Sequence, residues 1–210
     1  MPKVVGRPDS DWRDGFLFLG NQVTLDFLNT CPVIDGSPVE LLPDWNALVR
    51  WFLAAELIAA SEAKRLQQEW SDSKRAQRIV ESMQQFREEL RKAIISWEHN
   101  GQIPPALREK LNDLMARHPM LTRFAPPGRQ SAMEPYFAPA RPEDLFAPLA
   151  YFAATLFATV DHRKVRKCHH CVLHFHDTSK KGTRRWCSMQ MCGNRLKVAA
   201  YARRRRLARE

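Results

Sequence analysis

The sequence predicts a mainly α protein, on three observations. Apolar residues between positions 45 and 117 recur at steps of three and four, the spacing of helices that bury one face. Prolines crowd residues 119–142, which marks that stretch as non-helical. Four of the five cysteines fall within residues 168–192, inside a segment whose charge differs from the rest of the chain. The predicted fold class is a helical N-terminal domain with a small β-hairpin, followed by a compact cysteine-clasped unit and a basic terminal helix.

Taken in order, Phe16–Leu19 is a short apolar run with strand character. From Gln22 onward, Val23, Leu25, Phe27 and Leu28 fit either a helical or a strand period. A loop rich in Pro and Gly follows, and Asp44 then stands as N-cap of a helix over residues 45–60. Residues 61–70 form a second, short helix. The longest pattern spans 72–99, with Ile79, Met83, Phe86, Leu90, Ile94 and Trp97 on one face and Gly101 as its stop. Pro104-Pro105 opens a helix to about Arg117. Leu121–Ala125 and Met133–Ala138 are expected to pair as a hairpin across Pro-Pro-Gly. Residues 143–160 read as a buried core helix, too short to span a bilayer comfortably. A joint at Asp161 divides the chain into residues 1–160 and 161–210.

The N-terminal stretch MPKVVGRPDSDWRDG carries acidic residues and no apolar segment, so no signal peptide is expected and the cytoplasm is the expected compartment. No Gly-rich phosphate loop, Gly-x-Ser-x-Gly elbow or His-Glu-x-x-His pair occurs, and the expectation is a protein that is not an enzyme. Asp26, Asp44 and Asp72 read as caps or surface groups, and Cys31 as an ordinary small side chain. The formal net charge is +10. Its distribution matters more than its size. Residues 161–210 hold fifteen Lys or Arg against three acidic residues, while residues 1–160 hold eighteen against twenty. A basic segment on a near-neutral body predicts a polyanionic partner.

Cys168-x2-Cys171 and Cys187-x4-Cys192, fifteen residues apart, have the spacing of a tetrahedral four-thiolate zinc site. Each pair sits on a tight turn that aims two sulfurs at one ion, and Gly193 permits the turn beside the last of them. His169, His170, His174 and His176 lie close enough that one of them is an alternative ligand. With four thiolates at hand, they read as surface or nucleic-acid-facing groups. Four sulfurs close the coordination shell, so a zinc ion here is structural rather than catalytic. The segment has few apolar residues, and metal binding is expected to supply the missing folding energy.

Lys180, Lys181, Arg184 and Arg185 precede Cys187, whereas Arg195, Lys197, Arg203, Arg204, Arg205 and Arg206 follow Cys192. Held by the clasp and by a helix over residues 194–209, these cations suit a phosphate backbone. They are the expected nucleic-acid contacts, with double-stranded DNA the expected partner. Gln190, Asn194 and Arg195 are the candidates for reading base edges.

Asp177-Thr178-Ser179, Arg184-Arg185-Trp186-Cys187-Ser188-Met189 and Cys192-Gly193-Asn194-Arg195-x-Lys197 resemble the signature of the CGNR zinc-finger proteins. GNQVTLDFLNT, residues 20–30, is similar to the opening of the ABATE domain that precedes this finger in bacterial proteins. The resemblance implies a stress-induced transcription regulator with Cys168, Cys171, Cys187 and Cys192 as zinc ligands. The body is then expected to sense a small-molecule ligand or to form a homodimer, with a ligand seat among the aromatic helices and residues 119–142. An RNA- or ribosome-associated binder and an enzyme with its site in the body are the rival expectations. A membrane partner is not expected, because the terminal helix is thinly apolar.

Overall fold

The computed structural model describes residues 11–34, 36–124, 133–189 and 192. Its first element is a hairpin of β1 (Trp12–Arg13) and β2 (Phe16–Leu17), closed by Asp14 and Gly15 with φ of 48° and 80°. Two consecutive positive φ values are what a tight Asp-Gly hairpin turn requires. The chain then bends at Gly20, whose N–H donates to the Asp26 carboxylate at 2.7 Å. A Cβ on Gly20 would lie 2.7 Å from the Leu25 Cβ, so only glycine fits here. The ambiguous run beyond it is a helix, α1 (Val23–Leu28), with Leu25, Phe27 and Leu28 buried.

Residues 31–43, expected as loop, contain a minimal hairpin of β3 (Val33–Ile34) and β4 (Ser37–Pro38). Asp44 caps α2 (Trp45–Ala54) through a 2.8 Å bond from the Ala47 N–H. This helix ends earlier than the expected residue 60. Glu56 adopts φ 60°, and Leu57 turns back to donate to the Phe52 carbonyl. Helices α3 (Ala60–Trp70), α4 (Lys74–Asn100) and α5 (Pro105–Arg117) follow as expected. Ser73 caps α4, and Gly101 at φ 72° stops it. The expected hairpin is present as β5 (Leu121–Phe124) and β6 (Met133–Tyr136), in register Leu121 to Tyr136. A 3₁₀ turn at Pro142–Leu145 leads into α6 (Phe146–Thr159). Pro148 sits in its first turn, where a missing N–H costs nothing.

Helix α4 is the spine of the body. Its buried Met83, Phe86, Leu90, Ile94 and Trp97 pack against α1, α2, α5 and α6. Trp51 on α2 is enclosed by the rings of Phe18, Phe27 and Phe52. Arg87, only 2% exposed, bonds the Thr30 hydroxyl at 2.9 Å and pairs with Glu40, which fastens the two ends of the β3–β4 hairpin to α4. Burial lowers the pKa of Arg87, but the Glu40 carboxylate beside it outweighs that, and the guanidinium is held charged. Among the described residues, no helix is long and apolar enough to cross a membrane.

The segment from Val165 onward is packed and hydrogen-bonded to the helices before it. It forms an antiparallel pair, β7 (Val165–Lys167) and β8 (His174–His176), in register Val165 to His176. An isolated two-stranded pair is at best marginally stable, and this one is docked on the body. Asn29, fully buried at the end of α1, donates to the His174 carbonyl and accepts the His174 N–H, both at 2.9 Å. The His176 N–H donates to the Gly20 carbonyl at 2.7 Å, and Asn21 donates to the His176 carbonyl at 2.8 Å. On the other side, Glu98 of α4 accepts the Lys167 N–H at 3.1 Å. A second small core joins Leu17 and Leu19 to Leu173, Phe175 and three of the clustered cysteines. Residues of the expected body thus complete the interior of the C-terminal unit. Replacing Asn29 with Ala strands two buried backbone groups of His174. The expected loss is about 2–4 kcal/mol of unfolding free energy, read by urea denaturation.

Candidate metal centre and basic face

Each cysteine is placed by a local turn. Cys168 follows β7 directly, and its N–H reaches across the first knuckle to the Leu173 carbonyl at 2.9 Å. Cys171 lies inside that turn. In the second knuckle the Cys192 N–H closes on the Ser188 carbonyl at 3.0 Å, which brings Cys187 and Cys192 to one side. The His169 N–H bonds the Arg185 carbonyl at 3.2 Å and stitches the two knuckles together.

The four ligand atoms of Cys168, Cys171, Cys187 and Cys192 all lie within 4.8 Å of one another. Cys171 and Cys187 are 3.5 Å apart at sulfur, Cys187 and Cys192 3.5 Å, and Cys192 and Cys171 3.6 Å. A disulfide requires about 2.05 Å, so none of these is one. A tetrahedron of sulfurs at ~2.3 Å from a central ion has edges of about 3.8 Å, close to what is seen. Three of the four cysteines are buried and Cys171 is partly exposed. The cluster is therefore shaped for one soft divalent cation.

Charge points the same way. Hydrogen bonds from Cys171 and Cys187 hold the Cys168 thiol far below the ordinary thiol range. The same contacts act in reverse on its neighbours. Hydrogen bonding to Cys168 pushes Cys171 up to about 12 and drives Cys187 higher still, while burial raises Cys192. Unaided, the cluster favours a single thiolate, and four require a compensating cation.

None of the expected alternative histidines joins the sulfurs. His169 and His170 are exposed, and His169 packs edge-on against Trp186. His176 is half-buried, 3.3 Å from the Gln22 amide. His174 corrects the expectation of a surface group. It is 1% exposed, because β8 lies against α1, and neither ring nitrogen has a hydrogen-bond partner among the described residues. Burial, with Arg91 and Lys167 nearby, lowers its pKa to about 4.

The expected basic contacts divide. Lys180, Lys181 and Arg185 are exposed on the loop between β8 and Cys187. Arg184 is turned inward instead. Its guanidinium donates to the Trp186 carbonyl at 2.7 Å and to the Cys187 carbonyl, and lies 4.5 Å over the Phe175 ring. It braces the second knuckle. Arg195, Lys197, Arg203, Arg204, Arg205 and Arg206 lie outside the described residues, as do the expected terminal helix and the candidates Gln190 and Asn194. Lys164 and Lys167, both exposed, add cations beside the first knuckle.

Asp177, named above only within the family signature, shapes the basic loop. Fully buried, it accepts from Ser179 N–H at 2.9 Å and Arg184 N–H at 2.8 Å. Arg166 reaches the same loop through the Gly182 carbonyl at 3.0 Å. Burial alone would raise the carboxyl pKa of Asp177, but these donors and the nearby Arg166 leave it below the ordinary range. An Asp whose carboxylate meets the N–H two residues on is an Asx turn, so Asp177-Thr178-Ser179 carried the signal.

His174 sets a pH dependence. Its folded pKa lies below its unfolded value of 6.5, so the stability tied to the neutral ring is complete above pH 6.5 and drains away as pH falls toward 4. The loss is on the order of 3 kcal/mol. A His174→Leu variant is expected to show a correspondingly flatter fall in unfolding free energy between pH 6.5 and 4 than the parent chain.

The comparisons with known proteins agree with this architecture. No curated protein matches the chain. Residues 164–205 match the CGNR zinc finger, which takes in both cysteine knuckles and the basic loop. Residues 21–160 match ABATE, described as "Putative stress-induced transcription regulator", over two thirds of the 210 residues. Residues 12–20, with Leu17 and Leu19, fall outside both matches. The chain belongs to the ABATE family and carries a CGNR zinc finger after its helical body.

Proposed function

We propose that the protein is a DNA-binding transcription regulator, a binding protein rather than an enzyme, working in the cytoplasm. In this reading Cys168, Cys171, Cys187 and Cys192 hold one structural zinc ion. The observation that carries it is the closed sulfur cluster beside an exposed cationic loop. Four sulfur ligands leave a zinc ion no open position for substrate, so its contribution is to fix the two knuckles. The loop between them, shaped by Asp177 and Arg166, presents Lys180, Lys181 and Arg185 at set positions. A fixed array of cations suits the phosphates of duplex DNA. Arg195, Lys197, Arg203, Arg204, Arg205 and Arg206 extend the same charge along the sequence.

Purified chain is expected to hold one zinc per molecule by elemental analysis, and Cys187→Ser to lose it. In hydrogen exchange on the full chain, a chelator is expected to expose residues 12–20 together with 165–189, because Leu17 and Leu19 share the sulfur-rich core. Exchange confined to 165–189 would separate the two regions.

Binding to a random-sequence duplex should weaken about 10³-fold between 50 and 200 mM salt if six or more phosphates are contacted. Changing Lys180, Lys181 and Arg185 together to Gln should lower the log–log salt slope by about 2.7. The same substitutions should weaken all duplex sequences alike. A salt-independent interaction, or structured RNA outcompeting duplex DNA, would contradict the proposal.

A further inference from the structure

We propose that Cys171 is a modification site, the point at which a peroxide enters the sulfur cluster and turns two of its thiolates into a disulfide. The four sulfurs are not equally sheltered. Cys187 is fully buried, and Cys168 and Cys192 are each 4% exposed. Cys171 alone of the four is partly exposed. A cleft of about 1050 Å³ between the N-terminal hairpins and the first knuckle leads to it, with Val33 on one wall and Cys171 and Val172 on another. Cys168 and Cys192 also border this cleft, each nearly covered. Hydrogen peroxide is little larger than water, so a space of this size admits it.

Reactivity at sulfur needs a thiolate, an approach for the oxidant and a second thiol within reach. A four-sulfur cluster holding a divalent cation keeps its cysteines as thiolates. The partners are already in place, with the Cys187 sulfur 3.5 Å and the Cys192 sulfur 3.6 Å from that of Cys171. Those separations shorten by about 1.5 Å when a disulfide forms.

The chemistry closes in two steps. The Cys171 sulfur attacks one peroxide oxygen, the O–O bond breaks, and hydroxide leaves to take a proton and become water. Cys171 is then a sulfenic acid. The thiolate of a neighbouring cluster cysteine attacks the Cys171 sulfur, forms the S–S bond and expels the second hydroxide, which also becomes water. The peroxide gains the two electrons that the two thiolates lose. Two sulfurs remain, too few to close a four-coordinate shell, so the metal is released. The loop carrying Lys180, Lys181 and Arg185 between the knuckles then loses the ion that fixed its ends. A dithiol reductant reverses the sequence by regenerating both thiols.

This inference rests on the zinc reading given above, and the two are tested by different measurements. Zinc content before oxidation judges the earlier reading alone, and a disulfide map judges this one. The full chain carries Cys31→Ser, so that the cluster holds its only thiols. Hydrogen peroxide is added, zinc release is followed with a chromogenic chelator, and disulfides are mapped by mass spectrometry. Cys171 is expected to be the first thiol lost and to appear in the disulfide that forms. Zinc should leave at the same rate, and dithiothreitol with added zinc should restore both. Cys171→His keeps a ligand nitrogen in the cluster. It should slow peroxide-driven zinc release several-fold while leaving release to the chelator alone unchanged. Zinc content and circular dichroism identify a variant that fails to fold, and the map of the parent chain decides without it. Cys171 remaining reduced while other cluster sulfurs pair would overturn the proposal. So would four thiols that persist at peroxide concentrations that oxidise free cysteine.

Discussion

The side-chain amide of Asn29 does for β8 what a neighbouring strand would do. It offers one donor and one acceptor to the same residue, His174, from inside a fully buried site. Gly20 and Asn21 repeat the arrangement two residues further on, at His176. In water such bonds are nearly neutral, but in a dry interface an unmade one is expensive. The two-stranded unit that carries the first cysteine therefore has one favourable place to lie. The position of the sulfur cluster relative to α1 and α4 follows from that.

Some of this was legible in the sequence. The long helices declared themselves through apolar spacing, and caps such as Asp44, Ser73 and Gly101 act where such residues usually do. The cysteine spacing announced the cluster, because two turns aimed at one point leave few other patterns. Other features were hidden. Helix α1 has only six residues, too few to separate a helical from a strand period. The early end of α2 rests on a non-glycine residue at positive φ, Glu56, which no local signal marks. Strands β7 and β8 are three residues each and rich in charge and imidazole, so alternation could not show them. Asn29 resembled any polar residue after a helix.

Counting cations was a similarly blunt instrument. Several arginines of this chain act as struts. Arg87 holds the two ends of the β3–β4 hairpin, Arg91 takes the Leu28 carbonyl at the end of α1, Arg166 takes that of Gly182, and Arg184 those of Trp186 and Cys187. The flat guanidinium reaches several carbonyls at once, which an ammonium group cannot do as well. The lysines, by contrast, remain at the surface around both knuckles. Net charge counts these struts together with the cations at the surface.

Leu17 and Leu19 lend their side chains to the cysteine-rich core from a point almost 150 residues upstream. The finger is thus no cassette to be excised and grafted onto another scaffold. Cut loose after Thr159, it would lose two aliphatic groups from its interior and the amides that align its second strand. Recombination that shuffles such modules would have to carry the amino-terminal ribbon along, or invent a replacement for it.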